Sequence, residues 1–383
     1  MTSQRRFDNG MSPIGFGRPL PLFSEVPVRV SGSSCSTLEP GMSRYSIVCV
    51  LLCLAAISTL WLPSPSSSLP SPASQERTNV RIGLVFDVGG RGDKSFNDSA
   101  FAGLERAERE LGVTVEMIEP SGAEDREAAM RLFAARGFDL VVGVGFIFSS
   151  DILVVANAFA STRFACVDFA PSADQPLPSN FAGLVFREEE GAFLVGAVAG
   201  LMSKTKAVGF VGGMNVPLIR KFETGYSSGV RHVCPACRVL SAYAGTTPEA
   251  FKDPAKGEAI ATSQISAGAD VVFHAAGSTG LGVFEAARDM NAWAIGVDSD
   301  QYDEMPGTVI TSMVKRVDVA VYEVAKEIAE GRFHSGIHTL GLRESGIGYV
   351  NDGPHASLLP QDVKTRVDSI RDQVIAGTLR IDP

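Results

Sequence analysis

The strongest constraint on what this 383-residue chain can fold into is an alternation of short apolar runs with helical stretches that starts at Val80 and occurs twice. In the first set, residues 80–86, 113–118, 140–144 and 164–168 read as strands, with helices over 97–111, 126–136 and 151–159 between them. Strands that stay apolar on both faces and alternate with helices fit a parallel sheet covered on both sides. After a strand at 181–186 the pattern resumes, with helices over 188–203, 217–232, 254–267 and 280–290 and strands at 207–212, 238–243, 270–275 and 292–297. Two sets of this length exceed one compact sheet, so the sequence predicts an α/β fold of two doubly wound, Rossmann-like lobes joined near 183–187. A helix over 317–331 and an extended run over 340–350 come last and are placed to return to the first lobe and then to the second. The expected division is 80–186 plus about 305–335 for the first lobe, and 187–304 plus about 336–370 for the second.

Residues 1–79 lack that periodicity and read as a leader. Arg44 precedes a mostly apolar stretch over 47–62, and a Pro/Ser run follows at 63–73; this three-part layout is that of a secretory signal. The stretch is shorter than the roughly 20 residues of a membrane-spanning helix. So deep a signal points to Met42 as an alternative start, giving a signal over 42–73 and then a Pro/Ser linker; an uncleaved anchor through 47–62 leads to the same periplasmic or extracytoplasmic compartment. Val50-Leu51-Leu52 ahead of Cys53 is not the small-residue sequence that precedes a lipidated cysteine. Export permits a disulfide within Cys234-Pro-Ala-Cys237, and two idle thiols are the alternative. The leader carries six basic and four acidic side chains, which leaves −11 on the rest of a chain whose formal charge is −9. An acidic body without a basic stripe is not built for phosphate backbones, so no nucleic-acid partner is expected.

In doubly wound sheets, ligands meet the carboxyl ends of the strands. Asp87, Asp168 and Asp298 stand at such ends, where they can accept hydrogen bonds from a ligand or merely cap the next helix. Loops expected at the same cleft hold Asn97, Gly145-Phe146, Gly212-Gly213-Met214, Gly277 and Lys315. Phe96, Phe146, Phe222 and Phe251 fall in or beside loops and helix starts, positions suited to clasping a flat ring, with core packing as the alternative for each. The Gly89-Gly90-Arg91-Gly92 run has neither G-x-G-x-x-G nor G-K-[ST] spacing and so is no phosphate loop. His232, His274, His334, His338 and His355 are scattered without ligand spacing, and residues 80–186 of the first lobe hold neither a G-x-S-x-G elbow nor an S-x-x-K motif, so neither metal, cofactor nor catalytic residues are expected.

At these residues the chain resembles the basic membrane protein family, the purine-nucleoside receptors of bacterial ABC importers. The resemblance is carried by Phe86-Asp87 with the run 93–100 (Asp-Lys-Ser-Phe-Asn-Asp-Ser-Ala), by 189–196 (Glu-Glu-Gly-Ala-Phe-Leu-Val-Gly), by Asp253-Pro254-Ala255-Lys256-Gly257, by 295–301 (Ile-Gly-Val-Asp-Ser-Asp-Gln) and by 311–316 (Thr-Ser-Met-Val-Lys-Arg). It implies a type I periplasmic binding-protein fold, a nucleoside trapped between the lobes of a monomer, and an ABC permease as partner. On the matching positions it implies that Asp87, Asn97 and Asp168 bond the base, that Phe96 and either Phe251 or Phe222 clasp it, and that Gly277, Asp298 and Lys315 hold the ribose. Another heterocycle such as a flavin, or a nucleoside-processing enzyme, is the alternative.

Overall fold

A computed structural model of the chain describes residues 80–122, 125–170 and 175–381. The expectations about the leader and its signal fall outside those residues. Nine helices and twelve strands are described, and the strands form two six-stranded sheets.

The first sheet is built from β1 (Arg81–Val85), β2 (Thr114–Ile118), β3 (Leu140–Val144), β4 (Arg163–Val167) and β5 (Phe181–Phe186), completed by β11 (Gly336–Leu340), in the order β11-β5-β4-β3-β1-β2. All its pairings are parallel. Parallel neighbours need a crossover, and α1 (Phe96–Leu111), α2 (Asp125–Ala135) and α3 (Ser149–Ala158) supply three of them. The second sheet, β12-β10-β9-β8-β6-β7, uses β6 (Ala207–Met214), β7 (Arg238–Gly245), β8 (Val271–Ala275), β9 (Trp293–Asp298), β10 (Val309–Lys315) and β12 (Ile347–Tyr349). Here β12 alone runs antiparallel, against β10. Its helices are α4 (Glu188–Met202), α5 (Pro217–Val233), α6 (Pro254–Ser266) and α7 (Thr279–Asp289).

Helix α4 is buried along most of its length and lies against α5 at close range, because Gly196, Gly225 and Gly229 leave no side chain in the contact. A Cβ at Gly225 would strike the Glu189 carbonyl, and one at Gly229 the Phe193 carbonyl. Gly196 of the 189–196 run therefore serves helix packing, and Gly191 makes room for Met313 and Ile347 of the second sheet. The run at 253–257 is likewise structural: Asp253 caps α6 by accepting the Lys256 amide at 3.0 Å, Pro254 opens the helix, and Gly257 packs on the Thr279 carbonyl.

Two late elements correct the expected division of the lobes. Residues 309–315, grouped above with the first lobe, form β10 and pair with β9 of the second sheet. Residues 336–340, grouped with the second lobe, form β11 and pair with β5 of the first. Helix α8 (Val317–Ala329) packs on α1 through Gly103, and α9 (Gln361–Ile375) carries its buried face toward α4. The chain consequently crosses between lobes three times, at Arg187, at Arg316 and within 341–346. Hydrogen bonds lace the crossings together: the Arg187 amide donates to the Leu340 carbonyl (3.0 Å), the Arg316 amide to the Gly346 carbonyl (2.8 Å), and the Leu342 amide to the Glu190 carboxylate (2.7 Å).

Candidate functional site

The carboxyl ends of both sheets face one cavity between the lobes, with about 580 Å³ of space, part of it open to solvent. Ten of the residues singled out in the sequence line it: Asp87, Phe96, Asn97, Phe146 and Asp168 from the first lobe, Phe222, Phe251, Gly277, Asp298 and Lys315 from the second; Gly212, Gly213 and Met214, expected in a loop at the same cleft, do not, and Gly213 lies instead against the Phe251 ring. Two glycine contacts explain how the backbone comes so close. Gly145 (φ 112°) faces the Asp87 carboxylate, and Gly277 (φ 55°) packs on the Phe251 carbonyl, so either position is left-handed and has no room for a side chain.

Lys315 at the end of β10 is 1% exposed, and its ammonium reaches into the first lobe to the Asp168 carboxylate at 2.6 Å. Glu188, at the first turn of α4 and fully buried, stands 3.4 Å away on the other side. Its second oxygen takes Lys221 at 3.2 Å. The rings of Phe96, Phe186 and Phe222 surround the ammonium at 5.0, 5.1 and 5.6 Å, which adds cation–π attraction to the ion pairs. Burial works against the Lys315 charge, yet Asp168, Glu188 and Asp298 together hold its pKa above the ordinary lysine range.

The carboxylates outnumber the cation. Burial pushes Asp298 up to about 7, Lys315 opposing and Asp168 adding to the rise. Burial likewise raises Asp87 to about 7, and Asp168, although paired with Lys315, to about 6. One oxygen of Asp168 and one of Asp298 are buried without a hydrogen-bond donor. Acceptors enclosed in this way call for N–H or O–H donors on whatever fills the cavity.

Asp93, which the sequence reading passed over, anchors the first lobe's contribution. Its buried carboxylate accepts from the amides of Ser95 (3.0 Å), Asn97 (2.8 Å) and Asp98 (3.2 Å) and from the Asn97 side chain (3.1 Å). Asn97 in turn accepts the Asp87 amide through Oδ1 at 3.2 Å, so its carboxamide is oriented before any ligand arrives. Glu188 was also missed. The Asp93 signal was present in the 93–100 run itself; Glu188 had only its place at the lobe junction to mark it. Asp168, which the resemblance groups with the base, is paired with Lys315, which it groups with the ribose.

Two hinged α/β lobes closed over a single aromatic and acidic cavity define a small-molecule binding protein of the periplasmic-receptor type. The chain belongs to the Bmp family, ABC transporter substrate-binding proteins of the PnrA-like kind, whose family model matches residues 80–378. An uncharacterized lipoprotein of Pyrococcus abyssi is 37% identical over 72% of this chain and 70% of its own length. An ABC transporter nucleoside-binding protein of Lactococcus lactis is 29% identical over 87% and 99%. Among solved structures, a solute-binding protein of an ABC transporter system from Aeropyrum pernix K1 superposes with a TM-score of 0.72 at 32% identity, covering 79% of this chain and 92% of that one.

Proposed function

We propose that this chain is an extracytoplasmic receptor that captures a nucleoside, with purine nucleosides as the expected class, and delivers it unchanged to an ABC permease. The observation that supports it most is the presence, in one cavity, of four phenylalanines and of buried carboxylate oxygens that lack donors. A nucleoside answers both, because it offers a flat ring to stack and N–H and O–H donors at its two ends. In this reading Asp87 and Asn97 bond the base, Phe96 clasps it with Phe251 or Phe222, and Asp298 and Lys315 hold the ribose with Asp168 beside them. The related nucleoside-binding protein supports the ligand class. Relatives that are lipoproteins, together with the Arg44 and 47–62 layout, support an address outside the cytoplasm. A ligand bridging hinged lobes shifts them toward the closed form by its greater affinity for that form, and closure is what a permease can read.

Titration calorimetry of the protein against inosine, guanosine, adenosine, cytidine, riboflavin and ribose tests the proposal. Purine nucleosides should bind and be recovered intact by chromatography. Binding of riboflavin alone, or recovery of free base and ribose, would sink it.

A further inference from the structure

The runs 93–100 and 295–301 contain residues for which the ligand cavity has no use: Lys94 and Ser95 in one, Ser299 and Gln301 in the other. They meet across the cleft. The Ser299 hydroxyl donates to the Ser95 carbonyl at 3.1 Å, and the Gln301 side-chain amide donates to the Lys94 carbonyl at 3.1 Å. Both sides of this contact are held from behind. Gln301 is 1% exposed; its Oε1 accepts the Val297 amide at 2.8 Å and lies 3.1 Å from Nε2 of the fully buried His274, and its backbone amide donates to Ser312 at 3.0 Å. With Oε1 committed as an acceptor, His274 presents Nε2–H to it, and the NH₂ of Gln301 is thereby turned toward the first lobe. On the receiving side, Lys94 adopts a left-handed φ of 55°, and the four bonds to Asp93 fix the loop that aims the two carbonyls.

We propose that Ser299 and Gln301, with His274 orienting the latter, form a closing latch: positioning residues that grip the backbone of the loop carrying Phe96 and Asn97. Neither Ser299, Gln301 nor His274 lines the cavity. The latch loop starts one residue after Asp298, and the gripped loop ends where Phe96 and Asn97 begin, so a single closure sets both halves of the site. Because the latch touches only protein, it slows the release of every ligand by the same factor and leaves capture by the open form alone. The proposal rests on the receptor reading above in taking the lobes to open and close around a ligand.

The test uses the whole protein with inosine as the probe. Ser299→Ala removes one hydrogen bond at a partly exposed position and should fold as wild type. Its inosine dissociation rate, followed by stopped-flow chase, should rise about 2- to 10-fold, as loss of one ordinary hydrogen bond implies, with no fall in the association rate and Ser299→Thr restoring the original value. Gln301→Leu should release inosine faster still. In the ligand-free state it should show a larger radius of gyration by small-angle scattering than wild type, the closed population having fallen. Unchanged dissociation in Ser299→Ala, a matching fall in association, or identical scattering for wild type and Gln301→Leu each overturns the latch. A wild type that ignores inosine sinks the nucleoside reading instead, and the scattering comparison then decides the latch alone.

Discussion

The two lobes are built to one plan, and the cleft owes its chemistry to where they depart from it. Each sheet runs second, first, third, fourth, fifth strand, with a late strand added beyond the fifth. Each places an aspartate in the left-handed region at the end of its fourth strand, Asp168 (φ 58°) after β4 and Asp298 (φ 64°) closing β9, and a left-handed glycine after its third, Gly145 and Gly277. The fifth strands differ: β5 ends in Phe186, β10 in Lys315. That one difference gives Asp168 a cation from the opposite lobe, whereas Asp298 makes no such ion pair, although each carboxylate keeps one buried oxygen without a donor. Equivalent backbone thus carries two unlike carboxylates, one of them joining the lobes.

Removing the difference should have the largest effect. Lys315→Met leaves Asp168 and Glu188 buried without their shared cation, and breaking a buried pair by deleting one partner costs about 3–5 kcal/mol. Inosine affinity should fall by two orders of magnitude or more, with a lower urea midpoint. Adding Asp168→Asn should recover part of that midpoint, since it takes away the uncompensated charge. Inosine binding by Lys315→Met within tenfold of wild type would show that the lobes do not depend on this ion pair.

The next pair of variants sets one lobe against the other. Asp298→Ala should weaken nucleosides by about 1.5–3 kcal/mol, the range for hydrogen bonds to a charged group, and leave free-base binding nearly untouched. Phe96→Ala should weaken nucleosides and free bases alike, by about 1–3 kcal/mol for a lost stacking face. Both should melt near the wild-type temperature. If Asp298→Ala binds inosine normally, the ribose end of the ligand lies elsewhere.

Much of this was legible in the sequence because strand ends are where doubly wound sheets bind, and strand ends can be read from apolar periodicity. Asp87, Asp168 and Asp298 follow from that rule alone. What could not be read is which partner each would find. Asp168 and Lys315 are 147 residues apart, with the first of the three hinge crossings between them, and meet only across the cleft. The same crossings hid β10, whose residues 309–315 have no partner until β9 is in place, and they misassigned β11. Gln301 gave no sign of a role because its function depends on two backbone carbonyls of the other lobe, and carbonyls leave no trace in a sequence.

The smallest effect concerns protons, and it separates the two aspartates most finely. Asp87 and Asp298 rise to about 7 and Asp168 to about 6, against an ordinary aspartate near 3.8, burial being the largest cause in each. A carboxyl raised in the folded form holds its proton longer there than in the unfolded chain. Its contribution to stability is therefore complete below pH 3.8 and is lost as the pH climbs through 6 to 7. A ligand that donates hydrogen bonds to ionised Asp298 acts in the opposite sense, lowering its pKa and releasing its proton. Inosine should accordingly bind more tightly at pH 8 than at pH 6, by up to about tenfold per pH unit for one released proton. Calorimetry at pH 7 in buffers of different ionisation enthalpy should show proton release on binding. Asp298→Asn, which cannot ionise, should release measurably less, the remainder coming from Asp87, whereas Asp168→Asn should retain the wild-type release, because Lys315 already keeps Asp168 the more acidic of the two. Proton uptake on binding, or release undiminished in Asp298→Asn, would mean that the carboxylate of Asp298 is not where the ligand's donors go.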